Sequence, residues 1–190
     1  MDLGLRGARV LVTAASRGLG AATARQFSRE GAVVVISSRN LGSLQETAAN
    51  IVEETGNAVF TQACDVTDFV QAEKLVSNAA SMMGGLDIIV TNAGGPPAGN
   101  FDAFDMDVWQ NATQLTLLSA VALIKSAIPY LKKSSRAAIL TVTSMSAKQP
   151  VDNLILSNTL RPAVIGLTKS LSIELGSDGI RVNSILPGIT

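Results

Sequence analysis

The sequence predicts one α/β domain built on a doubly wound parallel sheet. Six short, β-branched runs are almost continuously apolar, which is typical of strands that are covered on both faces. Segments with a helical pattern separate them, so every crossover is far longer than a hairpin turn. With 190 residues, the chain is long enough for one sizeable core and too short for two comfortable domains. We therefore treat residues 1–190 as a single domain.

Strands and helices alternate along the whole chain. The strand-like runs cover residues 8–14, 32–38, 58–65, 86–92, 137–144 and 180–187. The helix-like segments cover residues 19–30, 41–55, 69–83, 105–131 and 158–176. Ligands of such sheets bind outside the carboxyl ends of the strands, near the point where the strand order reverses. The residues that follow each strand are therefore the first candidates for function, including the loop GGPPAGN at 94–100.

Composition excludes several classes of protein. The formal net charge is zero, with 15 basic and 15 acidic residues, so no basic stripe is available for nucleic acid. A single cysteine, Cys64, and the absence of histidine exclude disulfide frameworks, Cys/His zinc sites and imidazole chemistry. Residues 1–10 lack a signal-peptide pattern, and no run of about eighteen apolar residues follows. We expect a soluble cytoplasmic protein with no metal and no membrane partner.

The first strand is followed by the glycine loop TAASRGLG at 13–20. Gly18 and Gly20 flank Leu19 where a helix opens, and the missing side chains would let a pyrophosphate approach the backbone N–H groups. A plain tight turn with close helix packing would use the same two glycines. The loop alone therefore does not distinguish dinucleotide binding from a structural turn.

The second strand end favours a phosphate ligand. About twenty residues after such a loop, an acidic residue usually binds the ribose of NAD, or a basic residue binds the extra phosphate of NADP. The chain has Ser38 and Arg39 there and no carboxylate, and Arg17 projects from the glycine loop toward the same place. Two guanidiniums suit a 2′-phosphate, although solvated surface arginines would look the same in sequence. We predict NADP(H) in preference to NAD(H).

Several ordered motifs together resemble one known family. They are TAASRGLG (13–20), CDVTD (64–68), TNAGG (91–95), ILTVTS (139–144), GLTKSLSIEL (166–175) and IRVNSILPG (180–188). In this order and at this spacing the chain resembles the short-chain dehydrogenase/reductase family over nearly all of its length. The resemblance implies a Rossmann-type fold, a nicotinamide cofactor and an activity similar to that of 3-oxoacyl reductases, which interconvert a carbonyl and an alcohol.

The resemblance also assigns cofactor contacts. The implied binding residues are Thr13, Ser16, Arg17, Gly18, Leu19 and Gly20 in the first loop, Ser38 and Arg39, Asp65 and Val66 beside the adenine, Asn92, Ala93 and Gly94 after the fourth strand, Arg161, and Pro187 and Gly188 beside the nicotinamide. The chain departs from the family at Ala14, where the family has its first loop glycine. A Cβ there is tolerable only if the turn keeps an ordinary φ.

The catalytic positions depart further from the family. Members use Asn, Ser, Tyr and Lys, and the serine is Ser144 at the end of ILTVTS. Family spacing places Thr116 at the asparagine, Ser157 at the tyrosine and Arg161 at the lysine. A serine hydroxyl is a far weaker acid than tyrosine, whose pKa is near 10, and arginine can hold ribose hydroxyls but cannot relay a proton. We predict that the usual proton relay is absent.

Two other residues could in principle supply a proton. Tyr130 lies at the far end of the long helix, and we interpret it as a packing residue. Lys148 follows Ser144 by four residues and could act as an acid if burial lowered its pKa; the alternative is a solvated loop lysine. Pro162 falls in the first helical turn if the helix begins near Ser157, and inside the helix if it begins earlier.

Two functions from different classes remain open. The first is an NADP(H)-dependent oxidoreductase for a small carbonyl or alcohol, in which Ser144 polarises the substrate oxygen and Arg161 holds the cofactor. The second is an NADP-binding protein without oxidoreductase turnover, serving as a sensor or oligomer partner. Family members continue beyond the position of Thr190 with a substrate segment and a last strand, so we expect a C-terminally incomplete domain. The resemblance also implies a homo-oligomer, a dimer or tetramer.

Overall fold

A six-stranded sheet forms the centre of the computed structural model, which describes residues 3–188. Its strands are β1 (Arg9–Val12), β2 (Val33–Ser38), β3 (Val59–Ala63), β4 (Ile88–Thr91), β5 (Ala138–Val142) and β6 (Arg181–Ile185). Their order is β3-β2-β1-β4-β5-β6, and all neighbouring pairs are parallel. The predicted doubly wound fold is confirmed. The strand order reverses between β1 and β4, so a ligand crevice is expected there.

Helices cover both faces of the sheet. They are α1 (Gly18–Arg29), α2 (Leu41–Thr55), α3 (Phe69–Met83), α4 (Met106–Thr113), α5 (Ser119–Leu131) and α6 (Ile155–Glu174). Successive strand side chains point to opposite faces, so Leu11 joins the cluster against α3 and α5, while Val10 and Val12 join the cluster against α1 and α2. Burial on both faces explains why the strands are apolar throughout rather than alternating.

The long helix predicted over residues 105–131 is interrupted near its middle. A π-helical turn, Gln114–Leu118, separates α4 from α5. Ser119 Oγ donates to the Leu115 carbonyl oxygen at 2.5 Å just beyond this turn. Single π-helical turns inside α-helices occur frequently at functional sites. The interruption contains Thr116, one of the predicted catalytic residues.

The same run, Met106–Leu131, is long and apolar enough to cross a membrane by length and composition alone. Its mean hydropathy reaches 1.4, and 39% of its most apolar window is buried inside the fold. Leu123, Ile124 and Ala127 belong to the core cluster against α3. We therefore interpret this run as a core helix of the α/β domain.

Helix α6 begins at Ile155, three residues before the predicted start at residue 158. Pro162 therefore lies inside the helix, beyond its first turn. Because proline has no N–H, it cannot donate the usual hydrogen bond to the preceding turn. The side chain of Asn158 is bound to the loop before the helix: its Nδ2 donates to the Val151 carbonyl at 2.8 Å, and its Oδ1 accepts from the Val151 N–H at 3.0 Å. These two bonds attach the loop to the first turns of α6.

The amino-terminal end of the sheet is closed by a polar network around Asp87. The Asp87 carboxylate accepts from Arg9 N and Nε at 2.9 Å, from Arg9 Nη2 at 2.6 Å and from Ser134 Oγ at 2.6 Å. Burial opposes ionisation of Asp87, but the hydrogen bonds from Arg9 and Ser134 outweigh it and lower its pKa to about 2. Arg9 Nη1 also donates to the Gly84 carbonyl at 2.6 Å. The buried charge is thus fully hydrogen-bonded.

Candidate functional site

A cleft of about 580 Å³ opens at the carboxyl ends of the strands. It is lined by Ala14, Ser16, Arg17, Leu19, Ser38, Arg39, Asn40, Ser43, Cys64, Val66, Asn92, Ala93 and Gly94. Most of these residues were predicted from the glycine loop and the strand ends. Ala14, Asn40, Ser43 and Cys64 were not predicted as contacts; Asn40 directly follows the predicted Arg39, Ser43 lies four residues after it, and Cys64 directly precedes the predicted Asp65. The structure therefore brings the ends of the first four strands together at one site.

The start of α1 provides a cradle for a pyrophosphate. Gly18 has a positive φ of 57°, and Arg17 before it makes no side-chain cap, so backbone N–H groups at the helix start have no capping partner. No acidic residue lies in the first turn. A Cβ at Gly20 would collide with the Ala14 carbonyl, so this position requires glycine. Free N–H groups and the positive end of the helix suit a phosphate oxygen.

Ala14 contradicts the expectation of an ordinary φ in this turn. Its φ is 48°, in the left-handed region. A Cβ in that region approaches the following carbonyl oxygen, which costs roughly 1–2 kcal/mol. The turn therefore keeps the conformation of a glycine although it contains alanine. Strain of this kind is found mostly at ligand sites, where the surrounding structure maintains it.

The cleft carries positive charge without a compensating acid. Arg17 and Arg39 line it, both side chains are exposed, and no aspartate or glutamate is among the lining residues. Neither arginine forms an ion pair with any residue between 3 and 188. Asn40 caps α2 beside them, with its Oδ1 accepting from Ser43 N at 3.0 Å. Both guanidiniums are therefore available to a ligand.

Two predicted cofactor residues make structural contacts within the chain. Thr13 is fully buried and is not in the cleft lining; its Oγ1 donates to the Asn92 carbonyl at 2.7 Å and accepts from Asn92 N at 2.9 Å. The carboxylate of Asp65 accepts from Thr67 N at 3.0 Å and Thr67 Oγ1 at 2.7 Å. Thr13 thus positions the end of β4, Asp65 stabilises a turn, and Val66 is the member of its pair that faces the cleft.

Pro187 and Gly188 lie outside the cleft lining. The Pro187 carbonyl accepts from Met145 N at 2.9 Å, so the segment after β6 is bound to the turn that follows Ser144. A Cβ on Gly188 would lie 3.9 Å from Met145 Sδ. The pair is therefore close to the candidate catalytic serine, and its contact with a nicotinamide stays a prediction.

A chain of three serines links two of the predicted catalytic positions. Ser144 begins a short 3₁₀ turn, and its Oγ accepts from Ser146 N at 3.2 Å. The Oγ atoms of Ser146 and Ser157 lie 2.9 Å apart in a buried hydrogen bond. Ser146 was missed from the sequence, although it lies only two residues after Ser144. Ser157 is thus bonded to Ser146 and offers no ionisable group where the family resemblance expects tyrosine.

Arg161 is a buried cation at the carboxyl end of β5. Its side chain has 8% relative exposure; Nη1 donates to the Val142 carbonyl at 3.0 Å, and Nε has no partner among the described residues. No carboxylate between residues 3 and 188 pairs with it. Burial lowers its pKa, but a guanidinium stays protonated in proteins. A charge is therefore held here without a counter-ion from this part of the chain.

Thr116, which family spacing places at the asparagine position, lies close to Arg161. Both residues line a small cavity of about 10 Å³ together with Thr91 at the end of β4. The Oγ1 atoms of Thr91 and Thr116 are buried and have no hydrogen-bond partner within residues 3–188. Ser144 and Ser157 do not line this cavity. Thr91 was missed from the sequence, where its only signal was its place directly before Asn92.

The two alternative proton donors, Lys148 and Tyr130, do not line the buried cavity around Arg161. Lys148 is exposed at the end of the 3₁₀ turn, so the burial that its proposed role requires is absent. Tyr130 is half-buried against the core cluster between α3 and α5, which confirms its interpretation as a packing residue.

Known proteins match this chain over most of its length. The family model described as short chain dehydrogenase matches residues 8–190. Dehydrogenase/reductase SDR family member 4 of Sus scrofa is 36% identical over 180 residues, covering 94% of this chain and 64% of the pig protein. The chain thus spans less than two thirds of that relative.

Solved structures match the fold equally well. L-sorbose reductase from Gluconobacter frateurii, complexed with NADPH and L-sorbose, has a TM-score of 0.95 at 32% identity over 100% of this chain and 72% of that protein. The NADPH-bound short chain oxidoreductase from Pseudomonas aeruginosa PAO1, described as containing an atypical catalytic center, has a TM-score of 0.90 at 29% identity over 94% of this chain and 70% of its own. With the ordered motifs, the parallel sheet and the family match over residues 8–190, this chain belongs to the short-chain dehydrogenase family.

Proposed function

We propose that this chain is an NADP(H)-dependent oxidoreductase that interconverts a carbonyl and an alcohol. The observation that carries the proposal is the cleft charge: Arg17 and Arg39 line it and no carboxylate does. An acidic residue at this place would bind the ribose of NAD and repel a 2′-phosphate, whereas guanidiniums bind phosphate well. The NADPH in the Gluconobacter and Pseudomonas structures supports the same choice.

Different residues of the chain would bind different parts of the cofactor. The start of α1 would hold the pyrophosphate, and Arg17 and Arg39 would hold the 2′-phosphate. Asn92 is positioned by its backbone bonds to Thr13 and lines the cleft where the two halves of the sheet meet. A bound nicotinamide would supply or accept the hydride.

Ser144 is the candidate for binding the substrate oxygen. Its hydroxyl already accepts one hydrogen bond from Ser146 N, so its own hydrogen is free to donate to a carbonyl oxygen. Arg161 would contribute positive charge near the same strand ends. The tyrosine position holds Ser157, which is bonded to Ser146. General acid catalysis typically contributes 10²–10⁴-fold, so we propose turnover that is slower than usual for the family by a factor of that order.

The cofactor preference is tested by titrating the protein with NADPH and NADH. Arg39→Leu should weaken NADPH binding about tenfold or more and leave NADH binding nearly unchanged, because a charge-assisted bond to the 2′-phosphate is lost. Arg181→Leu is the matched control, since Arg181 is exposed on β6 and does not line the cleft. Equal affinity of the unmodified protein for the two cofactors would contradict the proposal.

The second function, an NADP-binding sensor or oligomer partner without turnover, rests on the Ser146–Ser157 bond. That bond joins Ser157, which lies at the position of the family's proton donor and is a far weaker acid than tyrosine, to Ser146. The two functions are separated by following NADPH absorbance with ketones, aldehydes and 3-oxoacyl thioesters. Turnover that Ser144→Ala abolishes supports the oxidoreductase. Tight NADPH binding with no turnover on any of these substrates supports the second function.

We also propose a cytoplasmic homo-oligomer, a dimer or tetramer, with a small carbonyl or alcohol as the other ligand. A groove of about 1,030 Å³ between α3 and α5 exposes apolar side chains, among them Phe69, Val70 and Leu118. Contiguous exposed apolar surface commonly marks a protein interface. Sedimentation equilibrium of the purified protein measures the oligomeric state directly.

A further inference from the structure

We propose that Thr47, which lies in α2 outside the cleft lining, positions the glycine loop for the phosphates of the cofactor. Thr47 is buried, with 8% relative exposure, and is not among the residues that line the cleft. Its Oγ1 lies 2.7 Å from the carbonyl oxygen of Ser16 and 3.0 Å from that of Ser43. Ser16 and Ser43 both line the cleft, so one hydroxyl joins two parts of the cleft wall. The inference rests on the proposed NADP(H) binding and names a positioning residue for it.

The bond to Ser16 is the first argument. Threonine hydroxyls inside helices often donate to the carbonyl four residues earlier, and for Thr47 that carbonyl belongs to Ser43. A hydroxyl has one hydrogen to donate, and the shorter of the two contacts is the one to Ser16, 31 residues earlier in the chain. Ser16 is therefore the main acceptor. The hydroxyl joins α2 to the glycine loop and is not only a contact within its own helix.

The conformation of the loop is the second argument. Ala14, two residues before Ser16, has a positive φ of 48°, and a non-glycine residue keeps such a conformation only where the surrounding structure holds it. Two hydrogen bonds follow directly after it. Ala15 N donates to the Ser37 carbonyl at 2.9 Å, and the Ser16 carbonyl accepts from Thr47. The first bond attaches the loop to β2, and the second attaches it to α2.

The orientation of one peptide group follows from the bond to Thr47. The peptide between Ser16 and Arg17 is planar and trans, so its C=O and its N–H point in opposite directions. The Ser16 carbonyl points toward the buried hydroxyl of Thr47, and Arg17 lines the cleft at the start of α1. The Arg17 N–H is therefore directed away from α2, where it would donate to a phosphate oxygen together with the first turn of α1. A rotated peptide would present the carbonyl oxygen instead, which repels a phosphate.

Helix α2 is a rigid support for the Thr47 hydroxyl. Asn40 caps its first turn, and Leu44 and Ile51 are fully buried in the core cluster that packs against the sheet. Side chains on packed helices hold their positions more precisely than side chains on loops. Thr47 thus maintains the loop before any ligand binds, and this reduces the entropy lost when the loop is ordered around a cofactor.

The test compares Thr47→Val with the unmodified chain by calorimetric titration with NADPH and with NADH, well below the unfolding temperature of both proteins. Valine keeps the shape of the side chain and removes the hydroxyl, so the affinity for both cofactors should fall about fivefold, the usual effect of losing one hydrogen bond. Both cofactors are affected because both contain the pyrophosphate, whereas Arg39→Leu should affect NADPH alone. Thr47→Ser keeps the hydroxyl and should restore the affinity.

Thr159→Val is the matched control. Thr159 Oγ1 donates at 2.9 Å to the Ile155 carbonyl, four residues earlier, on the exposed side of α6, so its removal should leave both affinities unchanged. If Thr47→Val does not fold, Thr47→Cys replaces it, since a thiol is a weak donor of similar size, and it should lower the affinity for both cofactors in the same direction.

The outcomes separate this inference from the proposed function. Cofactor affinity that the Thr47 variant leaves unchanged, even with a lower unfolding temperature, would overturn the inference, because Thr47 would then only stabilise the fold. A loss of affinity that Thr47→Ser does not restore would overturn it as well. Failure of the unmodified chain to bind either cofactor would overturn the proposed function, and this inference with it.

Discussion

The two ends of the sheet differ in how completely their buried polar groups are hydrogen-bonded. At the amino-terminal end, Asp87 accepts hydrogen bonds from Arg9 and Ser134, and its buried charge is paired. At the carboxyl end, Thr91, Thr116 and Arg161 keep buried polar atoms without partners in residues 3–188. Within the same described range, Ser37 Oγ and Gln62 Oε1, one residue before the ends of β2 and β3, also have no partner.

This difference separates the part of the molecule that maintains the fold from the part that binds ligands. Unsatisfied buried groups are costly, and backbone strain such as that of Ala14 adds to the cost. Both features are concentrated at the edge where parallel sheets bind their ligands. Stability is therefore expected to depend mainly on the amino-terminal network, and ligand affinity on the carboxyl edge.

Removal of Asp87 tests the stabilising end and should have the largest effect. Asp87→Ala leaves Arg9 and Ser134 without their acceptor, and the loss of a buried partner of this kind should lower the free energy of unfolding by about 3 kcal/mol. Urea unfolding measures this change. Asp178→Ala is the control, since its ion pair with Lys132 is partly exposed and should contribute less than about 1 kcal/mol. Equal effects of the two substitutions would contradict the division between the ends.

Acid unfolding tests the same network through its charge. The pKa of Asp87 is lowered to about 2 in the folded chain, so its contribution is complete above the unfolded-state pKa near 4 and is lost as the pH falls toward 2. A shift of this size corresponds to about 2–3 kcal/mol. Urea unfolding from pH 5 to pH 2 measures the free energy of unfolding of the unmodified chain and of Asp87→Asn. The difference between the two free energies should decrease as the pH falls through that window. A constant difference would show that charge does not stabilise this end.

Release of strain at Ala14 tests the carboxyl edge and should have the smallest effect. Ala14→Gly removes the Cβ from a left-handed residue, and the gain is partly offset by the greater freedom of glycine in the unfolded chain, so we expect stabilisation by about 0.5–1 kcal/mol. Ala21→Gly inside α1 is the matched control and should destabilise instead. Thermal unfolding with and without NADPH measures both variants. Destabilisation by Ala14→Gly would show that the strain argument is wrong.

Local patterns were sufficient to predict most of the framework. The near-continuous apolar runs predicted strands buried on both faces, and the glycine pair predicted the opening of α1 within one residue of its observed start at Gly18. The start of α6 was predicted at residue 158, three residues after its observed start at Ile155. The break in the long helix at Gln114–Leu118 has no proline or glycine to mark it, so local sequence carried no signal for it.

From the sequence alone follow the fold class, most of the cleft residues at the ends of the first four strands and the absence of the family's tyrosine and lysine at Ser157 and Arg161. These features follow from short-range patterns and spacing, which can be recognised without knowing which distant residues are in contact. The tertiary structure was needed to show which hydroxyl bonds to Ser157, that Thr13 faces inward and that Thr91, Thr116 and Arg161 meet around one cavity. Those contacts join residues far apart in the chain, because parallel strands bring their carboxyl ends to one edge regardless of sequence separation.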